Sequence, residues 1–164
     1  MEEAISVIYF CSLEAGMKTL PEVEAARQLM NEAMKWSVMT WLREKKRVRK
    51  TADQANAALD RTSSQLRQRW PQELRIAYNA VSGRSNDGIR QKEILESSTE
   101  KTAIAQKLKN ADEAAHRARM AAEQTFDEAE KRLSTSLARE GCVKAIQAWD
   151  LHEKAISQAE KCIA

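Results

Sequence analysis

Taken at alternating steps of three and four residues, the chain from Val23 to Leu66 carries Val23, Ala26, Met30, Met34, Val38, Trp41, Val48, Ala52, Ala55, Leu59, Thr62 and Leu66 in one series, broken only by Lys45. Such spacing places the series along one side of an α-helix. There is no Gly or Pro between Pro21 and Pro71, so the pattern predicts one continuous helix of about 70 Å at 1.5 Å per residue. A second series, Ile94, Ile104, Leu108, Ala111, Ala115, Ala118, Ala122, Phe126, Ala129, Leu133 and Leu137, also runs without Gly or Pro. Its many alanines allow a close helix pair.

Punctuation divides the chain around these two stripes. Residues 1–17 read as a short helix with Ile5, Ile8, Tyr9 and Leu13 on one face and Gly16 as its stop. Thr19-Leu20-Pro21-Glu22 reads as a capping box opening an ascending arm over 21–82, with a kink at Trp70-Pro71. Leu74, Ala77, Tyr78 and Val81 continue its apolar side, and Ser82 to Gly88 is a turn. A descending arm over 87–140 ends at Glu140-Gly141, and a last helix over 142–163 turns Val143, Ile146, Trp149, Ile156 and Ala159 inward. The predicted fold is a single all-α domain over 1–164: an elongated antiparallel helical hairpin, with short N- and C-terminal helices at its base making a three- to four-helix bundle. Trp36, Trp41 and Trp149 fill that base, and Met30, Met34 and Met39 read as ordinary core.

Composition supports helices, since four Gly and two Pro in 164 residues are too few for a turn-rich all-β fold. The net charge of +3 conceals a local excess. Residues 42–92 hold thirteen basic and five acidic side chains, whereas the flanking segments are mildly acidic. The apolar patch Ile5–Leu13 lacks the flanks of a signal peptide and the length of a membrane span. As written the chain reads as cytoplasmic, and as extracellular if a leader has been removed. Cys11, Cys142 and Cys162 show no metal spacing. Cys11 and Cys142 fall at similar heights on the hairpin, which permits a disulfide without showing one.

The strongest local signal is Arg43 to Lys50, six basic residues in eight. Helical spacing spreads Arg43, Lys46, Arg47 and Lys50 along one side, where they can meet successive anionic groups; Arg61, Arg67, Arg75 and Arg84 extend the series towards the turn. The alternative is a solvated surface, or one neutralised by carboxylates of another helix. Aromatic residues are nearly absent from the arm, which favours backbone contact with a duplex over base stacking. Lys45 to Lys50 also resembles a nuclear localisation signal. Glu113 and His116 have the ExxH spacing of di-iron bundles, but His152 follows Trp149 rather than a Glu, so no metal site is expected. No nucleophile–base set and no phosphate loop can be assembled, and neither an enzyme, a cofactor nor a small-molecule substrate is expected.

A long alanine-rich helical hairpin with an early Cys11 and the later Cys142 and Cys162 resembles the helical-bundle surface proteins of trypanosomes, the class of variant and invariant surface glycoproteins and the haptoglobin-haemoglobin receptor. That resemblance implies an extracellular, disulfide-linked bundle whose tip, around Arg75 to Gly88, is presented to a host macromolecule. From the residues themselves the leading expectation is a non-enzymatic interaction protein, whose partner is another protein or a second copy. Nucleic-acid backbone binding through the basic arm is the alternative.

Overall fold

The computed structural model describes residues 20–83 and 99–163. They form an all-α bundle of five helices: α1 (Pro21–Ala33), α2 (Val38–Gln68), α3 (Gln72–Val81), α4 (Thr99–Arg132) and α5 (Thr135–Glu160). The expected first helix, Cys11, Arg84 and most of the turn that begins at Ser82 lie outside the described residues.

Pro21 opens α1 at its first position, as expected, but the residue before the helix is Leu20, which is extended and offers no side-chain cap. The ascending arm is not continuous. Met34 ends α1, and Ser37 takes an extended conformation (φ −74°, ψ 167°) and caps α2 by accepting a 3.3 Å hydrogen bond from the Thr40 amide. A serine cap offers the backbone an alternative to continuing the helix, so the break needs neither Gly nor Pro. Trp36, in the connection, packs on Trp41 with ring centroids 6.4 Å apart. The second break falls where Pro71 places it: Arg69 caps α2, Pro71 is extended, and α3 restarts at Gln72.

The third break overturns the expected end of the descending arm. Gly141 lies inside α5, and the chain reverses at Leu133, whose φ is +49°. The Ser134 amide bonds the Ala129 carbonyl at 3.1 Å, the six-to-one bond of a Schellman turn, and the Ser134 hydroxyl then caps α5 by accepting from the Leu137 amide at 3.2 Å. Gly141 serves packing instead. A Cβ there would stand 2.8 Å from the Phe126 ring, and that ring stacks on Trp41 at 5.7 Å.

With α5 starting earlier, it does not stay at the base. Trp149 meets Asn56, His152 meets Ser63 and Ala159 meets Trp70, so α5 runs parallel to α2 as far as the Pro71 elbow. The closest packing of α4 is against α5, not α2. Alanines on both faces, among them Ala115, Ala122, Ala129, Ala138 and Ala145, are buried there, and the two-residue link through Leu133 and Ser134 keeps the pair together. α1 packs on α2 and α5, and α3 packs on α4. The core is centred on Val23, Met30, Val48, Leu59, Leu74, Cys142 and Trp149, all fully or almost fully buried. Each buried Leu, Met or Val side chain contributes about 1.5–3 kcal/mol relative to exposure. Val38, Met39, Leu133 and Val143, expected inside, are exposed, Met39 to 75%. Val38 and Met39 open a new helix and Leu133 sits in a turn, so neither belongs to the stripe geometry of a continuous rod.

Candidate functional site

The described basic residues divide by direction. On the flank of α2 that faces α4, cations find carboxylates: Arg49 donates to Asp127 at 2.7 Å and Glu130 at 2.9 Å, and Asp60 accepts two hydrogen bonds from Arg119 of α4 at 2.9 and 3.1 Å. Burial pulls the Arg49 guanidinium down, and its two carboxylate partners more than offset this. Arg27 of α1 likewise bridges to Asp150 at 2.6 Å and Glu153 at 2.8 Å on α5. These pairs set the register of the helices.

On the solvent side of α2, Arg43, Lys46, Arg47, Lys50 and Arg61 are all exposed and share one ridge, as their spacing requires. Gln54, Ala57, Ser64 and Gln68 continue the same ridge, so from Arg43 to Gln68 it spans about 37 Å at 1.5 Å per residue. Glu44 flanks it, 3.0 Å from Arg47 and 3.8 Å from Arg43. Both arginine side chains are more than half exposed, so solvent screens these pairs strongly. Arg47 also lies over the Trp36 ring, 5.9 Å from its centroid.

The Pro71 break creates a second feature. There Arg75 of α3, which packs on α4, lines the same solvent-open pocket as Arg67 of α2. This pocket, of about 240 Å³, is lined by Ser64, Arg67, Gln68, Trp70, Arg75, Tyr78 and Asn79, with no carboxylate among the described residues. Its aromatic wall is fixed. The Trp70 indole donates to the Ala159 carbonyl at 2.8 Å, Trp70 and Tyr78 pack edge to face at 5.4 Å, and Tyr78 donates a hydrogen bond to Asp112. Arg67 lies over the Tyr78 ring at 5.6 Å, and its nearest carboxylate oxygen, on Asp112, is 3.7 Å away, beyond direct hydrogen-bond reach. Arg67 and Arg75, separated by eight positions on what reads as one arm, are thus brought together by a break that the sequence signals.

Next to it a polar groove of about 260 Å³ runs between α2 and α4. The Asp60–Arg119 and Arg67–Asp112 pairs stand at its ends, and Ser63 and His152 share a 3.1 Å hydrogen bond in its floor. Burial, followed by the charge of Arg119, lowers the His152 pKa and so favours the neutral imidazole. Sequence spacing gave no sign of this pair, because it joins α2 to α5 across 89 positions. Its only signal was the polar face Asp60, Ser63, Ser64, Arg67 opposite Asp112, Ala115, His116, Arg119, which is visible once the antiparallel register of α2 and α4 is known.

The remaining candidates are dispersed. Glu113 and His116 are exposed on α4, and among the described residues no group of three or more His, Cys, Asp or Glu is arranged to hold a metal. Cys142 carries a fully buried free thiol whose pKa is pushed up to about 12 by burial; Cys11, the other end of the permitted bridge, is outside the described residues. No described helix is long and apolar enough to cross a membrane. Comparison of the chain with protein families, with curated proteins and with solved structures gives no match in any of the three.

Proposed function

We propose that the chain is a non-enzymatic interaction protein that offers a rigid helical surface, the basic ridge of α2, to an acidic macromolecule. One observation carries this reading: the cations of α2 are sorted. Arg49 is matched to carboxylates of α4, whereas Arg43, Lys46, Arg47, Lys50 and Arg61 stand exposed on the solvent side, where Glu44 is the acid paired with Arg43 and Arg47. A charged row that only stabilised the bundle would sit where partners exist. A row that faces solvent on a helix locked at both ends suits an extended polyanion, because each helical turn of 5.4 Å presents new charge.

A second reading is favoured by the absence of aromatic side chains from the exposed ridge. Without stacking platforms, the ridge suits the phosphate backbone of a duplex, bound without sequence preference. Titration of a 20-base-pair duplex and of polyglutamate at 50 and 200 mM salt distinguishes the two readings. Contact with four phosphates predicts a loss of about a hundredfold in duplex affinity over that salt range, and the triple variant Lys46→Gln, Arg47→Gln, Lys50→Gln should abolish most of the binding. Binding of polyglutamate but not duplex supports an acidic protein partner. Failure of both at 50 mM salt removes the ridge as a binding surface.

A further inference from the structure

The geometry points to a discrete site for a phosphate monoester in the pocket at the α2–α3 elbow, gripped by Arg67 and Arg75 with Ser64, Gln68 and Asn79. Three features select this ligand class. First, among the described residues the lining holds two guanidinium groups and no carboxylate, so it matches a dianion in charge. Second, a hydroxyl and two carboxamides stand with two five-donor guanidinium forks. That set exceeds what the two oxygens of a carboxylate can accept and suits the three terminal oxygens of a phosphate ester, for which planar arginine forks are well shaped.

Third, the pocket is organised before any ligand arrives. Arg67 is only 25% exposed and is held over the Tyr78 ring, while Tyr78 is itself fixed by Trp70 and Asp112. Among the described residues, Asp112 is the carboxylate that competes for Arg67. It stands 3.7 Å from Arg67 and accepts from Tyr78, and Arg67 donates a long 3.4 Å hydrogen bond to Ser64, so a charged phosphate oxygen is a better acceptor than either. Burial of one charged partner with few degrees of freedom to lose is what lets a small anion bind without a large ordering cost. The pocket depends on none of the ridge cations Arg43, Lys46, Arg47 or Lys50, so its occupancy and polyanion binding by the ridge are separable.

The test is a titration of the full chain with inorganic phosphate and with phenyl phosphate at 50 mM salt, read by the side-chain amide resonances of Gln68 and Asn79. Both probes should shift these resonances in a saturable way. Arg75→Gln, a change at an exposed position, should weaken binding by about tenfold, the size of one charge-assisted hydrogen bond, with unchanged helix content. Asp112→Asn should tighten it, because Arg67 loses its competing carboxylate while Tyr78 keeps an acceptor. Lys46→Gln with Lys50→Gln should leave it unaltered. The site is overturned if neither probe shifts Gln68 or Asn79, or if the ridge pair weakens binding as much as Arg75→Gln, which means diffuse charge attraction. Vesicles containing phosphatidic acid separate the sources of the headgroup: capture by vesicles with no response to phenyl phosphate rejects a soluble ester as the ligand.

Discussion

At the scale of single residues, Gly141 shows how a position can have two readings that differ in consequence. In an alanine-rich helical sequence a lone glycine suggests a stop, since in a helix interior it costs about 1 kcal/mol relative to alanine. Here that cost is accepted because the Phe126 ring occupies the space that a Cβ would need. The ring is also held by stacking on Trp41, 5.7 Å between centroids. Gly141→Ala should therefore destabilise the fold despite the better helix propensity, by about 1–3 kcal/mol as expected for overpacking. Chemical denaturation checks the sign, and a stabilised variant would mean that Phe126 has room to turn. The signal was present in the sequence: a glycine on a stripe of small seam residues is also the place of closest approach.

Among elements, what could be read from the chain and what could not follow from the kind of punctuation involved. Pro71 removes a backbone donor and constrains Trp70, so its break was legible. The breaks at Ser37 and Leu133 depend on side-chain capping and on one residue forced into the left-handed region, and neither announces itself when Gly and Pro are the markers sought. Within each helix the apolar face held: Val23 and Met30 are buried on α1, Trp41, Val48, Leu59 and Leu66 on α2, and Leu108, Ala115, Ala122 and Ala129 on α4, but the first series is split between two helices that pack on each other. Which stripe meets which is a long-range matter. Misplacing the end of α4 by eight residues turned α5 from a third full-length helix into a basal one. Leu133 pays for this turn with a φ of +49°, strain that costs an L-residue about 1–2 kcal/mol and a glycine almost nothing. Its side chain is 58% exposed, so little packing is at stake. Leu133→Gly should raise stability by about 0.5–1 kcal/mol after the greater unfolded-state entropy of glycine is counted, measurable as a higher urea midpoint at unchanged slope.

Across the whole molecule, charge is arranged in two tiers, and the tiers make opposite demands on stability. Pairs such as Arg49 with Asp127 and Glu130, or Arg119 with Asp60, join helices distant in sequence and help choose one register among those that an alanine-rich seam tolerates. The candidate residues Arg43, Lys46, Arg47 and Lys50 make mostly repulsive contacts: like charges three or four positions apart on one helix repel by about 0.2–0.5 kcal/mol per pair, offset only in part by the screened pairs of Glu44 with Arg43 and Arg47. Replacing Lys46, Arg47 and Lys50 by Gln should consequently leave the bundle as stable as before or slightly more so, with the gain largest at low ionic strength and fading as salt screens the repulsion. Thermal melts of the variant and the unaltered chain at 20 and 300 mM salt provide the check. A marked loss of stability would place these cations among the groups that hold the fold together and would deprive the ridge of its best support as a surface kept for a partner. A gain at low salt, alongside lost polyanion binding, separates what folds the chain from what it presents.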